Sequence, residues 1–475
     1  MSKKIKFNLI NANDCQKLKI KDIQKIYSNY INPALTNSLK SFSFGNVLVE
    51  KAIGSKIYLK NRKKILDFTG GLGVLNLGHN PNEILSSRIQ FQKKMRMEVH
   101  KNFFSQYSAA LSYNLAQILP KELSYSYFCN SGAEAVDGAI KMAYKYYNGQ
   151  RKIILHSDIS FHGKLLGSLS ISNYKESEFK FPKIKFGIKY KFNNLNSLEK
   201  TVKKYKSKIF AIIVEPMSAS TYKENSKEFL KLAKKLSNKY NIKLIFDEIY
   251  TGFGKSGYKF HFNKYNIVPD ILIISKSFGG GKSSISAYST NKDTLLKSYG
   301  NLNDALLHTT TYNGFGEECI TAIESINIFI KKNLSSKGLK IEKKLKPAFQ
   351  NLALKYPGKI KEYRGFGSMH GFVLNNKKLD KIKNIQKYFK FSVLKDKKFL
   401  DKLLASALLD ELFLKYGILS TLKFNQEVIL CVEPSLVVQN KELDYCINSI
   451  NHLFSRDFNK ILLNFLKNTI LRKLI

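Results

Sequence analysis

The chain has 475 residues and a formal net charge of +43, from 79 lysine and arginine residues against 36 aspartate and glutamate residues. At about 150 residues per domain, this length predicts two or three domains with room for large cores. Only 7 of the basic residues are arginines, the lysines are spread along the whole chain, and no nucleic-acid-binding motif accompanies them, so the charge does not indicate specific binding to DNA or RNA.

The cysteines and the apolar segments bear on the cellular compartment. Five cysteines form no C-x-x-C pair and are odd in number, which favours the reducing cytoplasm over a disulfide framework or a zinc site. Residues 1–7 carry charge without a continuous apolar stretch, so a signal peptide is not expected. No apolar run approaches the roughly 18 residues of a membrane span, so we expect no association with a membrane.

Three zones follow one another along the chain. Residues 1–80 end in a glycine-rich turn and are assigned to an N-terminal arm and part of a smaller domain. In residues 81–335, short apolar segments alternate with amphipathic ones, and the later apolar segments lie roughly 30 residues apart, the length of a βαβ unit. This spacing predicts a large α/β domain with a mainly parallel sheet and helices on both faces. Residues 336–475 are expected to form a smaller α+β domain whose basic amphipathic tail packs as a terminal helix. The predicted strands of the large domain are 125–128, 152–155, 209–214, 244–246 and 271–274.

The first of these strands leads through a turn into a predicted helix. Apolar residues at helical spacing begin at Val136, so we expect the helix to start near Ala133, directly after Ser131 and Gly132. The first N–H groups of a helix have no partner within it and can bind phosphate. A plainer interpretation is that Ser131 and Glu134 only form a capping box. The two interpretations are compatible.

A carboxylate and a lysine follow two consecutive later strands. Asp247 ends the apolar stretch 243–246, and Lys276 stands between the strand 271–274 and three glycines. This pair suits a Schiff-base cofactor, because the lysine can bind an aldehyde while the carboxylate stabilises a distant positive charge. The pattern predicts pyridoxal phosphate. The alternatives are a turn acid at Asp247 and a solvated surface lysine at Lys276. His162 has no second histidine at ligand spacing, so no metal site is predicted.

Several motifs occur in the order seen in class III pyridoxal-phosphate aminotransferases, and over about residues 30–455 the chain resembles that family. Within the class it looks most similar to putrescine aminotransferase and related diamine transaminases. The resemblance implies fold type I, with a large α/β domain and a smaller α+β domain. The motifs are CNSGAEAV at 129–136, FHG at 161–163, VEP at 214–216, DEIYTGFGKSG at 247–257, PDILIISKSFGGG at 269–281 and HTTTY at 308–312.

The resemblance implies a role for each matched residue. Lys276 would hold the cofactor as a Schiff base and, once released, would move a proton as general base and acid. Asp247 would pair with the ring nitrogen and keep it protonated. Thr311 would reach the phosphate bound by the neighbouring subunit, so a homodimer with shared active sites is expected. The other implied cofactor contacts are the backbone of Ser131, Gly132 and Ala133 at the phosphate, and Phe161, His162 and Tyr250 around the ring.

The sequence departs from the family at positions that bear on the substrate. Tyr250 stands where many members have a glutamine near the ring hydroxyl. Cys431 aligns with an arginine that binds the substrate α-carboxylate in many members, and a cysteine cannot make that bidentate contact. In those members Glu215 screens the arginine, and without the arginine it could bind a substrate ammonium directly. Glu215 and Cys431 are therefore the predicted substrate positions.

These features predict an aminotransferase that moves an amino group from a primary amine, a diamine or an ω-amino compound, to a keto acid or an aldehyde. An alternative within the enzymes is an aminomutase, or a specialised biosynthetic amination of a ketone or aldehyde on the same scaffold. A non-catalytic basic binding protein on a degenerate enzyme fold is a further alternative. The presence of both Asp247 and Lys276 argues against that last interpretation.

Overall fold

The computed structural model describes residues 9–173, 180–375, 399–425 and 427–474, and its strands form three sheets in these ranges. The central sheet has seven strands in the order β4-β10-β9-β8-β7-β5-β6. The strands are β1 Val49–Ile53, β2 Lys56–Leu59, β3 Lys64–Asp67, β4 Tyr125–Cys129, β5 Ile153–Ser157, β6 Gly187–Tyr190, β7 Ile209–Val214, β8 Lys243–Asp247, β9 Ile271–Ile274, β10 Ser286–Thr290, β11 Ile360–Phe366, β12 Met369–Leu374, β13 Ile418–Leu419, β14 Thr421–Lys423 and β15 Ile429–Val432.

The central sheet is mainly parallel, as predicted. Strands β6, β5, β7, β8 and β9 run in one direction, and β10 lies antiparallel between β9 and β4. All five strands predicted from the sequence are present, with ends that differ by at most two residues. They were recognisable because strands covered on both faces are apolar along their whole length.

Helices cover both faces of this sheet. Successive side chains of a strand point to opposite faces, so Ile213 and Ile245 join one apolar cluster while Ile212 and Leu244 join the other. The helices are numbered α1 Ala12–Cys15, α2 Ile20–Tyr30, α3 Pro33–Lys40, α4 Asn82–Lys93, α5 Gln106–Ile118, α6 Gly132–Tyr146, α7 Leu166–Ser170, α8 Leu195–Tyr205, α9 Lys227–Tyr240, α10 Lys292–Tyr299, α11 Gly316–Lys331, α12 Leu334–Lys355, α13 Phe399–Tyr416, α14 Asn440–Ser455 and α15 Phe458–Leu474. The helical turn Gly70–Gly73 is kinked at Gly71 and Leu72 and is not numbered.

The two long helices next to the central strands lie on opposite sides of the sheet. Helix α6 packs Val136 and Ala139 on the face of Ile213, and α9 packs Phe229 and Ala233 on the other face. Short 3₁₀ turns lie between the strands and helices, and one of them begins at Lys276. The predicted α/β fold class is confirmed.

The two smaller sheets have the orders β1-β2-β3-β13 and β11-β12-β15-β14. The parallel pair β3 and β13 sets Leu66 opposite Ile418, which joins the N-terminal strands to the C-terminal part of the chain. The division into domains, with boundaries at 80 and 335, stays a prediction. Strand β15 is the inner strand that carries Cys431, and β14 lies at the edge beside it.

The basic tail forms a packed terminal helix, as predicted, and this helix α15 lies against α13. Its Ile461 and Phe465 are buried, and Arg472 forms an ion pair with Asp410 at 3.1 Å. None of the described helices combines the length and the apolarity that crossing a membrane would require.

Candidate active site

The predicted site residues gather where strands of the central sheet end. Asp247 is the last residue of β8, Lys276 follows β9 and Glu215 follows β7, so all three lie at the carboxyl edge of the sheet. A cavity of about 610 Å³ opens at this edge. The site residues predicted from the sequence that line this cavity are Gly132, Ala133, Phe161, His162, Glu215, Asp247, Tyr250 and Lys276. A larger surface depression, about 980 Å³, contains none of the predicted residues.

Asp247 is held by a buried histidine. His162 Nδ1 lies 2.7 Å from Asp247 Oδ2, and the backbone N–H of Ile249 donates to Oδ1 at 3.1 Å. The backbone N–H of His162 donates to Ser172 Oγ at 2.8 Å, which fixes the histidine in turn. Its Nε2 is buried and has no hydrogen-bond partner in the described part of the chain. The cofactor contact of His162 stays a prediction, and its contact with Asp247 was not predicted from the sequence.

Lys276 occupies a strained turn directly after β9. Its φ of +50° is in the left-handed region, which costs a non-glycine residue about 1–2 kcal/mol. Ser277 Oγ donates to Gly73 O at 2.8 Å and stabilises the turn, while Lys276 Nζ donates to Leu72 O at 3.1 Å. Burial and the nearby Lys423 lower the pKa of Lys276 to about 8. A neutral amine is therefore accessible near physiological pH, as attack on an aldehyde requires.

The start of α6 borders the same cavity. Ser131 is the N-cap, and its Oγ accepts the N–H of Glu134 at 3.3 Å. Glu134 reaches back to the N–H of Asn130 at 3.1 Å instead of to that of Ser131, so the predicted capping box is present in a modified form. The first-turn residues Gly132 and Ala133 line the cavity, where free N–H groups of a helix start would bind an anion.

Glu215 is a buried carboxyl group on the cavity wall. Its Oε2 accepts the N–H of Phe161 and its Oε1 the N–H of Ala219, both at 2.9 Å. Burial raises the pKa of Glu215 to about 7, with a further rise from Asp247 that His162 opposes. The group therefore changes charge near neutral pH while its position stays fixed by the backbone.

A polar cluster missed by the sequence analysis lies beside the cavity around Glu433. The Tyr250 hydroxyl donates to Glu433 Oε1 at 2.6 Å, and Tyr222 donates to the same oxygen. Lys255 and Lys423 form ion pairs with Glu433 at 3.1 and 3.3 Å. Burial opposes ionisation, but the two lysines lower the pKa of Glu433 to about 2. The sequence signal that could have indicated this cluster is a charged residue, Glu433, within the otherwise apolar segment 429–436.

Two predicted residues lie away from the cavity of this chain. Cys431 has no exposed surface on β15, where its Sγ lies 3.5 Å from Ile429 O. Thr311 is exposed to solvent, while the neighbouring Thr310 Oγ1 accepts from Asn130 Nδ2 at 3.1 Å. The substrate role of Cys431 and the intersubunit role of Thr311 remain predictions.

The groups that pyridoxal phosphate requires border one cavity. An amine with a lowered pKa is present at Lys276, a buried carboxylate at Asp247 and a helix start at Gly132. A Cβ at Gly132 would lie 3.0 Å from Ile249 Cδ1, so a larger residue there would require the Ile249 side chain to shift by a few tenths of an ångström. These residues are suited to hold the aldehyde, the ring nitrogen and the phosphate of the cofactor.

Known structures share this architecture. The ornithine aminotransferase from Toxoplasma gondii superposes with a TM-score of 0.78 at 20% identity, over 94% of this chain and 98% of that chain. The adenosylmethionine-8-amino-7-oxononanoate aminotransferase from Methanocaldococcus jannaschii has a TM-score of 0.78 at 22% identity, over 91% and 98%. An (S)-enantioselective omega-transaminase from Thermomicrobium roseum has a TM-score of 0.78 at 20% identity, over 92% and 99%. At these identities the likeness establishes the shared fold.

The family itself follows from the sequence match. The family model described as Aminotransferase class-III matches residues 40–454, which is most of the chain. Class III aminotransferases depend on pyridoxal phosphate, and a second structure of the Toxoplasma gondii enzyme is described with partial occupancy of this cofactor at its active site. The chain belongs to the class III aminotransferases and is a pyridoxal-phosphate-dependent transaminase.

Proposed function

We propose that this transaminase takes the amino group of a primary amine, such as a diamine or an ω-amino compound, and transfers it to a keto acid or an aldehyde. The observation that carries the proposal is the composition of the cavity wall. No arginine is among the residues that line the cavity in the described part of the chain, whereas the carboxyl group of Glu215 is one of them. Such a wall offers a carboxyl group to a substrate ammonium and lacks the bidentate contact that an arginine makes with an α-carboxylate.

The chain's own residues support the transfer chemistry. When bound, pyridoxal phosphate supplies an electron sink for the bonds that break at the substrate carbon. Lys276 Nζ would hold the cofactor's aldehyde and then move a proton to and from that carbon. Asp247, oriented by His162, would keep the ring nitrogen protonated. The N–H groups of Gly132 and Ala133 would bind the phosphate, and the half-buried ring of Phe161 would cover one face of the cofactor.

Glu215 is oriented to bind a second ammonium group. Each of its oxygens accepts one backbone N–H, and each carboxylate oxygen has a further lone pair for another donor. Because the backbone fixes this carboxyl group, it can bind a substrate cation without losing side-chain entropy. A diamine would then place one amine near Lys276 and the other near Glu215.

A homodimer is part of the proposal. Lys101 Nζ donates to Thr310 O at 2.7 Å, which brings the segment 101–104 against the 308–312 loop. Phe103 and Phe104 in this region are exposed, and so is Tyr312 in the loop. Exposed large apolar side chains that cluster in this way often mark a protein interface.

All five cysteines are free, which supports the predicted cytoplasmic location.

Single half-reactions test the proposed donor class. The cofactor-loaded protein is mixed with putrescine, cadaverine, glutamate or alanine, and the loss of its visible cofactor absorbance is followed. We expect the diamines to react faster than both amino acids. Glu215→Gln is the matched variant, since it keeps the shape of the side chain and removes its charge. Glutamate or alanine reacting faster than the diamines would contradict the proposal.

A further inference from the structure

Two lysines share one carboxylate at the wall of the active-site cavity. Lys255 and Lys423 lie 3.1 and 3.3 Å from Glu433, so the three groups together carry one excess positive charge. The side chains of Lys255 and Glu433 are 1% and 0% exposed, whereas that of Lys423 is 13% exposed and lines the cavity. The excess charge therefore faces the cavity through Lys423.

Glu433 remains well paired without Lys423. Its Oε2 has the ion pair with Lys255, and its Oε1 accepts from the hydroxyl groups of Tyr222 and Tyr250. Turning Lys423 toward a ligand would therefore not leave a buried charge without compensation, which is the usual cost of breaking a buried ion pair. Lys423 Nζ also donates to Ala219 O at 2.5 Å and to the Tyr250 hydroxyl at 3.0 Å, and it lies 4.4 and 4.0 Å from the ring centroids of Tyr222 and Tyr250.

The other cations of the cavity are less suited to hold a substrate anion. Lys276 is committed to the cofactor. Lys164 lines the cavity but is exposed, so water and salt screen its charge. Lys423 is largely enclosed, with its side chain 13% exposed. Two further polar side chains line the wall near it, where Asn425 Nδ2 donates to Ser220 Oγ at 2.9 Å.

We propose that Lys423 binds the carboxylate of a keto acid acceptor in the second half of the transamination. The inference rests on the proposed function in that a keto acid serves as the acceptor. During the first half, when a donor without a carboxylate occupies the cavity, Lys423 stays paired with Glu433. An ammonium group is a point charge and makes no bidentate contact, so this subsite binds a carboxylate less tightly than an arginine would.

The test uses protein loaded with pyridoxamine phosphate, the amine form of the cofactor, so that the acceptor half-reaction starts without any amine donor. Its conversion is followed with 2-oxoglutarate, with pyruvate and with butanal, a neutral aldehyde. For Lys423→Met we expect kcat/KM for both keto acids to fall by about tenfold or more, because a charge-assisted contact is lost. The rate with butanal should change by less than about threefold. Lys423→Arg keeps the charge and should retain most of the keto acid activity.

A binding measurement gives a readout that does not depend on turnover. Calorimetric titration of the pyridoxal-phosphate-loaded protein with glutarate should show a Kd at least about tenfold higher in Lys423→Met than in the parent. Lys164→Met is the comparison at the same cavity, and its Kd should stay close to the parent value.

Three outcomes would overturn the inference: equal losses with keto acids and butanal, an unchanged glutarate Kd in Lys423→Met, or a larger effect from Lys164→Met. Equal losses would mean that Lys423 only supports Tyr250 and Glu433. Failure of the proposed amine donor would show in the donor half-reaction alone. If neither acceptor class reacted with the parent protein, the proposed transfer would fail and the glutarate titration would still decide the role of Lys423.

Discussion

His162 Nδ1 and Asp247 Oδ2 lie 2.7 Å apart in a buried hydrogen bond at the carboxyl edge of the central sheet. The bond leaves Asp247 in one orientation, because its second oxygen accepts the N–H of Ile249. A carboxylate held in this way can face a fixed positive charge without reorganising during the reaction. Asp247 thus depends on His162 for its orientation.

Removing either side chain of this pair should separate cofactor chemistry from cofactor binding. Asp247→Asn should lower kcat by on the order of a hundredfold, because a preorganised charge is removed, while much of the cofactor stays bound through the phosphate. His162→Ala should lower kcat less, by about fivefold to thirtyfold (about 1–2 kcal/mol), because one Asp247 oxygen loses its partner. Steady-state kinetics with measured cofactor content tests both variants. A His162→Ala protein with normal kcat would show that the pair is only structural.

Lys276 should carry the cofactor covalently. Borohydride reduction of the loaded protein followed by peptide mapping should find the label on the peptide that contains Lys276, and Lys276→Ala should abolish it. Lys259→Ala, at an exposed lysine, is the control and should be labelled normally. Label on another lysine would refute the assignment.

The pKa of about 8 at Lys276 predicts the pH dependence of cofactor uptake. Because this pKa is lowered from the usual 10.5, the neutral amine forms as pH rises through 8. The rate of Schiff-base formation by cofactor-free protein should therefore rise between about pH 7 and 9 and then level off. Stopped-flow absorbance with added pyridoxal phosphate measures it. A rate that keeps rising beyond pH 10 would indicate an ordinary lysine.

Glu215 should make diamine binding depend on pH. Its pKa is raised to about 7, so the carboxyl group is neutral below that value and charged above it. Substrate amines, with pKa values of about 10, stay protonated throughout this range. The KM for putrescine should therefore fall as pH rises from 6 to 8. In Glu215→Gln the KM should be about tenfold or more higher at pH 8 and should lose this pH dependence.

Thr311 and its exposed neighbours should affect cofactor affinity and assembly only if the protein forms a dimer. Thr311→Ala should weaken cofactor affinity by about 1–3 kcal/mol if the residue donates a hydrogen bond to the partner's bound phosphate. Phe104→Glu should shift the protein toward monomers, because it places a charge in a predicted apolar interface. Sedimentation at the assay concentration, combined with cofactor titration, tests both. A stable and fully active monomer would exclude a shared active site.

An arginine at position 431 should not simply restore carboxylate binding. Cys431 has no exposed surface, and Lys255 and Lys423 lie near enough to affect its ionisation. Cys431→Arg would bury a further cation there and should lower the free energy of unfolding by about 3–5 kcal/mol. Cys431→Val should lower the free energy of unfolding by less than about 1.5 kcal/mol. Denaturant unfolding of the two variants measures this. An unchanged stability with a faster glutamate half-reaction would show that the arginine reaches the cavity after all.

Local patterns in the sequence were sufficient for the elements that carry the chemistry. The apolar strands β7, β8 and β9, the start of α6 next to Ser131, and the positions of Asp247 and Lys276 at strand ends all follow from patterns of a few residues. The reason is physical, since strand and helix periodicity and the residue types of caps are properties of neighbouring positions.

Tertiary structure alone decided which distant residues meet. His162 and Asp247 are 85 positions apart, and Tyr222 and Glu433 are 211 apart, so their contacts depend on strand order and on how the sheets pack. The same packing buries Cys431 and exposes part of Lys423, although β14 and β15 are adjacent strands of one sheet. The sequence by itself therefore determined the fold class and the strand-end positions of Asp247 and Lys276, while the charged groups around them were decided by contacts that no local pattern encodes.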